Sequence, residues 1–122
     1  MLGALILSWG GAVPGREKMG LDVFAKALAY ADQKAKEGVI ESHEEYFALD
    51  GNATESAGRM ILRGEVDELL KLTADQEWLK LTFGAASVVQ NFTIQTFAGG
   101  NEASVQQMVG LGMTVEQEMG LL

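Results

Sequence analysis

The chain contains no cysteine, one proline and one histidine among its 122 residues. The lack of cysteine excludes disulfide bonds and thiolate metal sites, and it is compatible with a reducing cytoplasm, where we expect the protein to reside. Cations are missing from the last third, because no Lys or Arg follows Lys80. The net charge of −8 disfavours nucleic acid and anionic membrane surfaces as partners, and we expect neither. No apolar run approaches the roughly 20 residues that a membrane-spanning helix needs.

The composition that remains is typical of one folded domain. Hydrophobic residues make up 48% of the chain and charged residues 21%, a balance that can bury a core. The length is suited to a single domain. We expect residues 1–100 to form that domain. We expect residues 101–122 to form a helical tail that packs on the domain or on a dimer partner.

The order of local patterns predicts four strands and at least two helices before the tail. The apolar run at the start is typical of a central strand, and the amphipathic stretch after it is typical of a long helix that ends at Gly38. A later stretch with a polar middle indicates an edge strand. The spacing Thr73 to Gln76 is that of a capping box and predicts a helix start. The predicted segments are strands over 2–9, 39–49, 57–63 and 88–97, and helices over 16–37, from 64 onward and over 101–122.

This succession is the split β-α-β order of an α+β, ferredoxin-like domain with a four-stranded antiparallel sheet. Such a sheet carries helices on one face only, so its other face must be covered by something else. A second copy of the chain is the simplest cover, and we expect a homodimer that buries about 1,600 Å² or more.

Several local features resemble those of the dimeric α+β barrel superfamily, most of all its YCII-related and other bacterial members without assigned activity. The resemblance covers about residues 2–100 and implies two sheets that face each other around a pocket. Some members of that superfamily are cofactor-independent monooxygenases or isomerases. The segments that carry the resemblance are Ile6–Trp9, Pro14–Glu17, the long first helix, Gly38–Ser42 and the step from Arg63 to Gly64. The stretch 10–20 lacks the His that YCII-related proteins have there, so no catalytic residue is transferred from the family.

His43 is the only histidine and therefore the first candidate for acid–base chemistry. Glu41 and Glu45 flank it at strand spacing, so the three side chains would share one face and the carboxylates would favour the imidazolium. The alternative is an exposed, polar edge strand with no chemistry. No second His is available, and we expect neither a metal site nor a cofactor.

Arg59 and Arg63 alternate with the apolar Met60 and Leu62 on the third predicted strand. If the apolar pair faces the helices, the arginines face the dimer cavity, where a guanidinium could hold a carboxylate, enolate or phosphate. The alternative is an ion pair with Glu41, Glu44 or Glu45 on the neighbouring strand.

Three functions stay open at this point. The first is a dimer that binds a small organic ligand in a cavity formed by the sheet with its helices or with the partner. The second is a cofactor-independent monooxygenase or isomerase that uses His43 and Arg59 as catalytic residues in one pocket. The third is an interaction protein without a ligand. The residues expected to line a ligand pocket are Trp9, Glu45, Arg63, Asn91 and Thr93.

Overall fold

The computed structural model describes residues 1–122 as one α+β domain followed by a projecting helix. The elements appear in the predicted order, with the second helical region divided in two. The four strands are β1 (Leu2–Trp9), β2 (Ser42–Phe47), β3 (Gly58–Glu65) and β4 (Thr93–Ala98). The helices are α1 (Glu17–Lys36), α2 (Val66–Leu72), α3 (Gln76–Val88) and α4 (Glu102–Glu118).

The strands form one antiparallel sheet in the order β2-β3-β1-β4. β1 is central, as the apolar run predicted, and β2 is an edge strand, as its polar middle predicted. β1 and β2 are separated by β3 and run parallel to each other, which is the split β-α-β arrangement. The fold is therefore ferredoxin-like, and this prediction is confirmed.

Strand alternation divides the sheet into a covered face and an open face. Leu5 of β1 and Leu62 of β3 are paired neighbours and are fully buried beneath α1, α2 and α3. The adjacent residues Ile6 and Ile61 are also paired, but they point to the other side and are only half-buried. The core on the covered face consists of Leu5, Leu7, Tyr30, Ala31, Ile40, Met60, Leu62, Leu69, Leu72 and Trp78.

The long first helix follows its sequence pattern closely. Phe24 and Leu28 of α1 pack against the core, as their three- and four-residue spacing predicts. The helix ends before Gly38, whose φ of +77° is a left-handed conformation that favours glycine.

The second helical region departs from the sequence-based expectation. Gly64 is buried within β3, and α2 begins only at Val66. The start of α3 is capped by Asp75, whose side chain accepts a hydrogen bond from the backbone N–H of Trp78. Thr73 does not act as the cap, because its hydroxyl donates to the carbonyl of Leu70 in the preceding helix.

The end of α3 corrects two further expectations. The helix runs to Val88, so β4 begins at Thr93 rather than at Val88. The helical spacing that begins near Thr73 predicts Trp78, Leu79 and Phe83 on the inner side; Trp78 is buried, whereas Leu79 is exposed and Phe83 is 71% exposed. Their positions place them on the outer side of α3, which the sequence pattern did not distinguish from its inner side.

The last helix, α4, has little contact with its own chain. Asn101 caps its start by accepting a hydrogen bond from the backbone N–H of Ser104. Ser104 also accepts one from the N–H of Leu2, and it is the only residue of α4 that is not exposed. None of the helices is long and apolar enough to cross a membrane.

Candidate functional site

A largely apolar cavity of about 360 Å³ lies between the covered face of the sheet and the first turns of α1. Its walls come from the ends of β1, β2 and β3, from α1, and from the end of α3. Fourteen of its 18 lining residues are hydrophobic. Natural ligand pockets have volumes from about 300 Å³ upward and similar apolar walls. The aromatic residues that line the cavity are Trp9, Phe24, Phe47 and Phe92.

Three of these aromatic rings contact one another in a row, with Phe24 between Trp9 and Phe47. The ring centroids of Trp9 and Phe24 are 5.8 Å apart, and those of Phe24 and Phe47 are 5.5 Å apart in an edge-to-face arrangement. Such geometries stabilise aromatic pairs beyond their buried area. The arrangement presents ring faces and edges on which a planar ligand can stack.

The position of Trp9 depends on a glycine. Gly58 of β3 is paired with Trp9 of β1, and a Cβ at Gly58 would lie 2.5 Å from the indole ring. No side chain is compatible with that distance, so the glycine allows the ring to lie against the backbone of the neighbouring strand. The indole is thereby held at the wall of the cavity.

The only charged side chain in the lining is Glu17, in the first turn of α1. Its Oε1 accepts a hydrogen bond of 3.2 Å from the backbone N–H of Gly15, in the loop that leads to the helix. No Lys, Arg or His lines the cavity. The cavity therefore offers an apolar interior and one carboxylate, a combination that favours neutral or cationic groups over anions.

His43 lies outside this cavity and is bound by two carboxylates. Its Nδ1 is 2.6 Å from Oε2 of Glu45 on the same strand, and its Nε2 is 2.7 Å from Oδ1 of Asp32 on α1. Both ring nitrogens therefore face acceptors, an arrangement that the doubly protonated imidazolium satisfies. The His43 side chain is 16% exposed and links the edge strand to the helix.

The surroundings of His43 act on its pKa in opposite directions. Partial burial lowers the pKa, but the hydrogen bonds to Glu45 and Asp32, together with the charges of both carboxylates, outweigh it and raise the pKa above its usual value. An imidazolium held by two anions is a stabilising link. Because both ring nitrogens already face carboxylates, neither is free to exchange a proton with a substrate in this arrangement.

Arg59 and Arg63 lie on the open face, on the side of the sheet opposite His43. The β2–β3 register pairs His43 with Leu62, which points to the covered face, while Arg59 is paired with Tyr46. One chain therefore does not bring His43 and Arg59 into one pocket, and their catalytic roles stay predictions. Arg63 forms a cross-strand ion pair with Glu44, the alternative that the sequence left open.

The remaining predicted pocket residues are dispersed. Trp9 lines the cavity, whereas Glu45 binds His43. Thr93 is on the open face, paired with Ser8. Asn91 has a positive φ of 51° in the loop before β4, and its side-chain amide donates to the carbonyl of Thr54. Glu41 lies just before β2 and is not part of the strand that carries His43 and Glu45. No group of three or more His, Asp or Glu side chains is arranged to hold a metal ion.

Sequence reasoning missed Phe47, Phe92 and Glu17 as cavity residues. The helical spacing of Phe24 and the strand alternation of Phe92 predict core positions, and both residues do pack against the core. The available signal was that aromatic residues end β1 and β2 and also precede β4, so that they meet at one end of a ferredoxin-like sheet.

A second depression of about 570 Å³ follows the outer groove between α1 and α3. It is lined by charges of both signs, including Lys26, Lys80, Glu37 and Glu77. Lys34, also in the groove, is 3.5 Å from Glu37 and lies over the ring of Tyr30. The groove is consistent with a solvated contact between two helices.

Comparisons with known proteins agree with the fold. No protein-family model and no curated protein matches the chain. A solved structure that is similar is that of a dimeric protein of unknown function with a ferredoxin-like fold from Bacteroides fragilis NCTC 9343. The TM-score is 0.55 at 13% sequence identity, and the match covers 78% of this chain and 93% of that chain. At this identity the likeness is one of fold.

Proposed function

We propose that this protein is a homodimer that binds a small aromatic compound, neutral or cationic, in the cavity beside Trp9. The observation that carries the proposal is the aromatic wall in an otherwise apolar cavity of about 360 Å³. A cavity of roughly 150 Å³ is enough to hold benzene. The volume here is suited to a compound of two fused rings.

The charge of the lining supports the choice of ligand. An anion would enter an apolar space next to Glu17 with no cation to compensate, in a chain whose net charge is already −8. An aminomethyl group on an aromatic ring would instead place its positive charge near the carboxylate at the wall. The dimeric state is supported by the uncovered sheet face and by the dimeric relative of the same fold.

The test uses two naphthalene probes of the same shape and opposite charge, 1-naphthylmethylamine and 1-naphthoic acid. The chain has two tryptophans, so its ¹⁵N spectrum contains two indole N–H resonances. Trp9 lines the cavity, while Trp78 is buried in the core and serves as an internal reference. Trp78→Phe assigns the two signals.

The expected result is a saturable shift of the Trp9 resonance with the amine, a much weaker response to the acid, and little change at Trp78. Glu17→Gln should reduce the preference for the amine. Gly20→Leu should abolish the response, because Gly20 lines the cavity and a Cβ there has no neighbour closer than 4.0 Å. Equal responses to both probes in the native protein, no response in the native protein, or an undiminished response in the Gly20→Leu protein would contradict the proposal.

A further inference from the structure

We infer that α4 of one chain lies across the open sheet face of a second copy, with its glutamates beside Arg59 and Arg63. This assignment rests on the homodimer of the proposed function and adds the surface and the contacts through which the two copies meet. It follows from the shape of α4, from the composition of the open face and from the charges that each carries.

The first observation is that α4 is an amphipathic helix without a partner. Four apolar side chains and one glycine recur at alternating steps of three and four residues, which place them on one stripe, while Val109, Leu111 and Met113 lie outside it. The stripe is nevertheless exposed, since only Ser104 of the helix is buried. An exposed apolar stripe of this length is typical of an interface. The stripe consists of Val105, Met108, Gly112, Val115 and Met119.

The second observation is that the open face carries a matching apolar strip. Ala4 and Ile6 of β1 and Ile61 of β3 lie next to one another at its centre, and Phe97 of β4 borders them with 42% of its surface exposed. No helix of the same chain covers this strip. α4 begins at the end of the sheet where the backbone N–H of Leu2 donates to Ser104, and every other residue of the helix is exposed.

The third observation is the distribution of charge. α4 carries Glu102, Glu116 and Glu118, and no cation exists anywhere after Lys80. The open face carries Arg59 and Arg63 together with Glu44 and Glu65. Arg63 is paired with Glu44 and Glu65 with the N-terminal amine, so the exposed Arg59 is the cation of this face that has no ion pair. Pairing α4 with another α4 would bring acidic helices together. Pairing two open faces would leave Arg59 without a free carboxylate, because Glu44 and Glu65 are already paired. Placing α4 on the open face is the arrangement that joins opposite charges.

The dimensions agree with this placement. At 1.5 Å per residue the 17 residues of α4 span about 25 Å, close to the length of the eight-residue central strands. A contact about 25 Å long and 10 Å wide, made twice by two-fold symmetry and counted on both partners, comes to about 1,000 Å². The helix contact alone thus reaches the roughly 1,000 Å² that a biological interface should clear, which is about two thirds of the 1,600 Å² expected for the whole dimer.

The test exploits the absence of native cysteine. Chains with Ile6→Cys, at the centre of the open face, are mixed with chains that carry Gly112→Cys, at the centre of the stripe. Because each chain has a single cysteine, every disulfide joins two chains. Thr114→Cys, two residues away on the polar side of α4, replaces Gly112→Cys in the matched control. Circular dichroism verifies that each variant is folded.

The expected result is a mixed disulfide between Ile6→Cys and Gly112→Cys that forms at least ten times faster than the one with Thr114→Cys. Arg59→Glu should weaken the dimer at least tenfold, and Glu116→Arg with Glu118→Arg in the same chain should restore it. Dominant self-crosslinking of either Gly112→Cys or Ile6→Cys, in a dimeric protein, would overturn this arrangement and leave the homodimer intact. A native protein that is monomeric would overturn both this arrangement and the homodimer of the proposed function.

Discussion

The two faces of the sheet are built from the same strands, but helices of the same chain cover only one of them. Along β3, Met60 and Leu62 expose no more than 2% of their surface. Their neighbours Arg59, Ile61 and Arg63 face the other side of the sheet. The covered face completes its packing within the chain, except for the cavity beside Trp9. The open face has no cover of its own, although its centre is apolar. The covered face thus accounts for folding, and the open face is the surface that we propose a second copy covers.

The largest effect should come from a substitution on the covered face. Leu62→Ala removes a fully buried side chain and should lower the free energy of unfolding by about 2–5 kcal/mol. Its neighbour Ile61 is the matched control, since it points to the open face. Ile61→Ala should cost less than half as much in denaturant unfolding at low protein concentration. Equal losses at both positions would mean that the two faces do not differ as described.

A smaller effect is expected where the covered face forms the cavity. Gly58→Ala places a methyl group against the rigid indole of Trp9 and should cost about 1–3 kcal/mol through overpacking. The fluorescence of Trp9 should change as the ring moves. Gly11→Ala is the control, because its added Cβ would meet its nearest neighbour at an ordinary 3.6 Å. A Gly58→Ala protein with native stability and fluorescence would show that the ring is free to move.

The smallest effect concerns the link between the edge strand and α1, and it depends on pH. The pKa of His43 is raised in the folded protein, so its contribution is fully present below the unfolded pKa of about 6.5. That contribution is lost as the pH rises through the folded pKa. The thermal midpoint of the native protein should therefore fall over this window, relative to His43→Gln. Parallel pH profiles for the two proteins would contradict the link.

The sequence predicted the elements that depend on local pattern. The stripe of α1, the left-handed Gly38 and the alternation of Met60 and Leu62 with the arginines are all present as expected. The boundaries around α3 were wrong because several residues there suit either role. Thr73 and Asp75 both favour helix starts, and the apolar Val88 suits the end of a helix as well as the start of a strand.

The candidate site was less predictable because it depends on contacts between elements. The face on which His43 lies is set by its register with Leu62, and nothing in the polar sequence of β2 specifies that register. Its contact with Asp32 joins a strand to a helix, and the local pattern of neither segment indicates it. The cavity likewise requires the ends of three strands to meet beside α1, which only the assembled fold provides.

The most direct test of the difference between the two faces is sedimentation equilibrium of the native chain at micromolar concentration. The open face and α4 should be covered by a second copy, so the measured mass should be twice 13.1 kDa and should fall toward 13.1 kDa for Arg59→Glu. A native protein that sediments only as a 13.1 kDa species, with α4 helical and its apolar stripe exposed, would contradict the account.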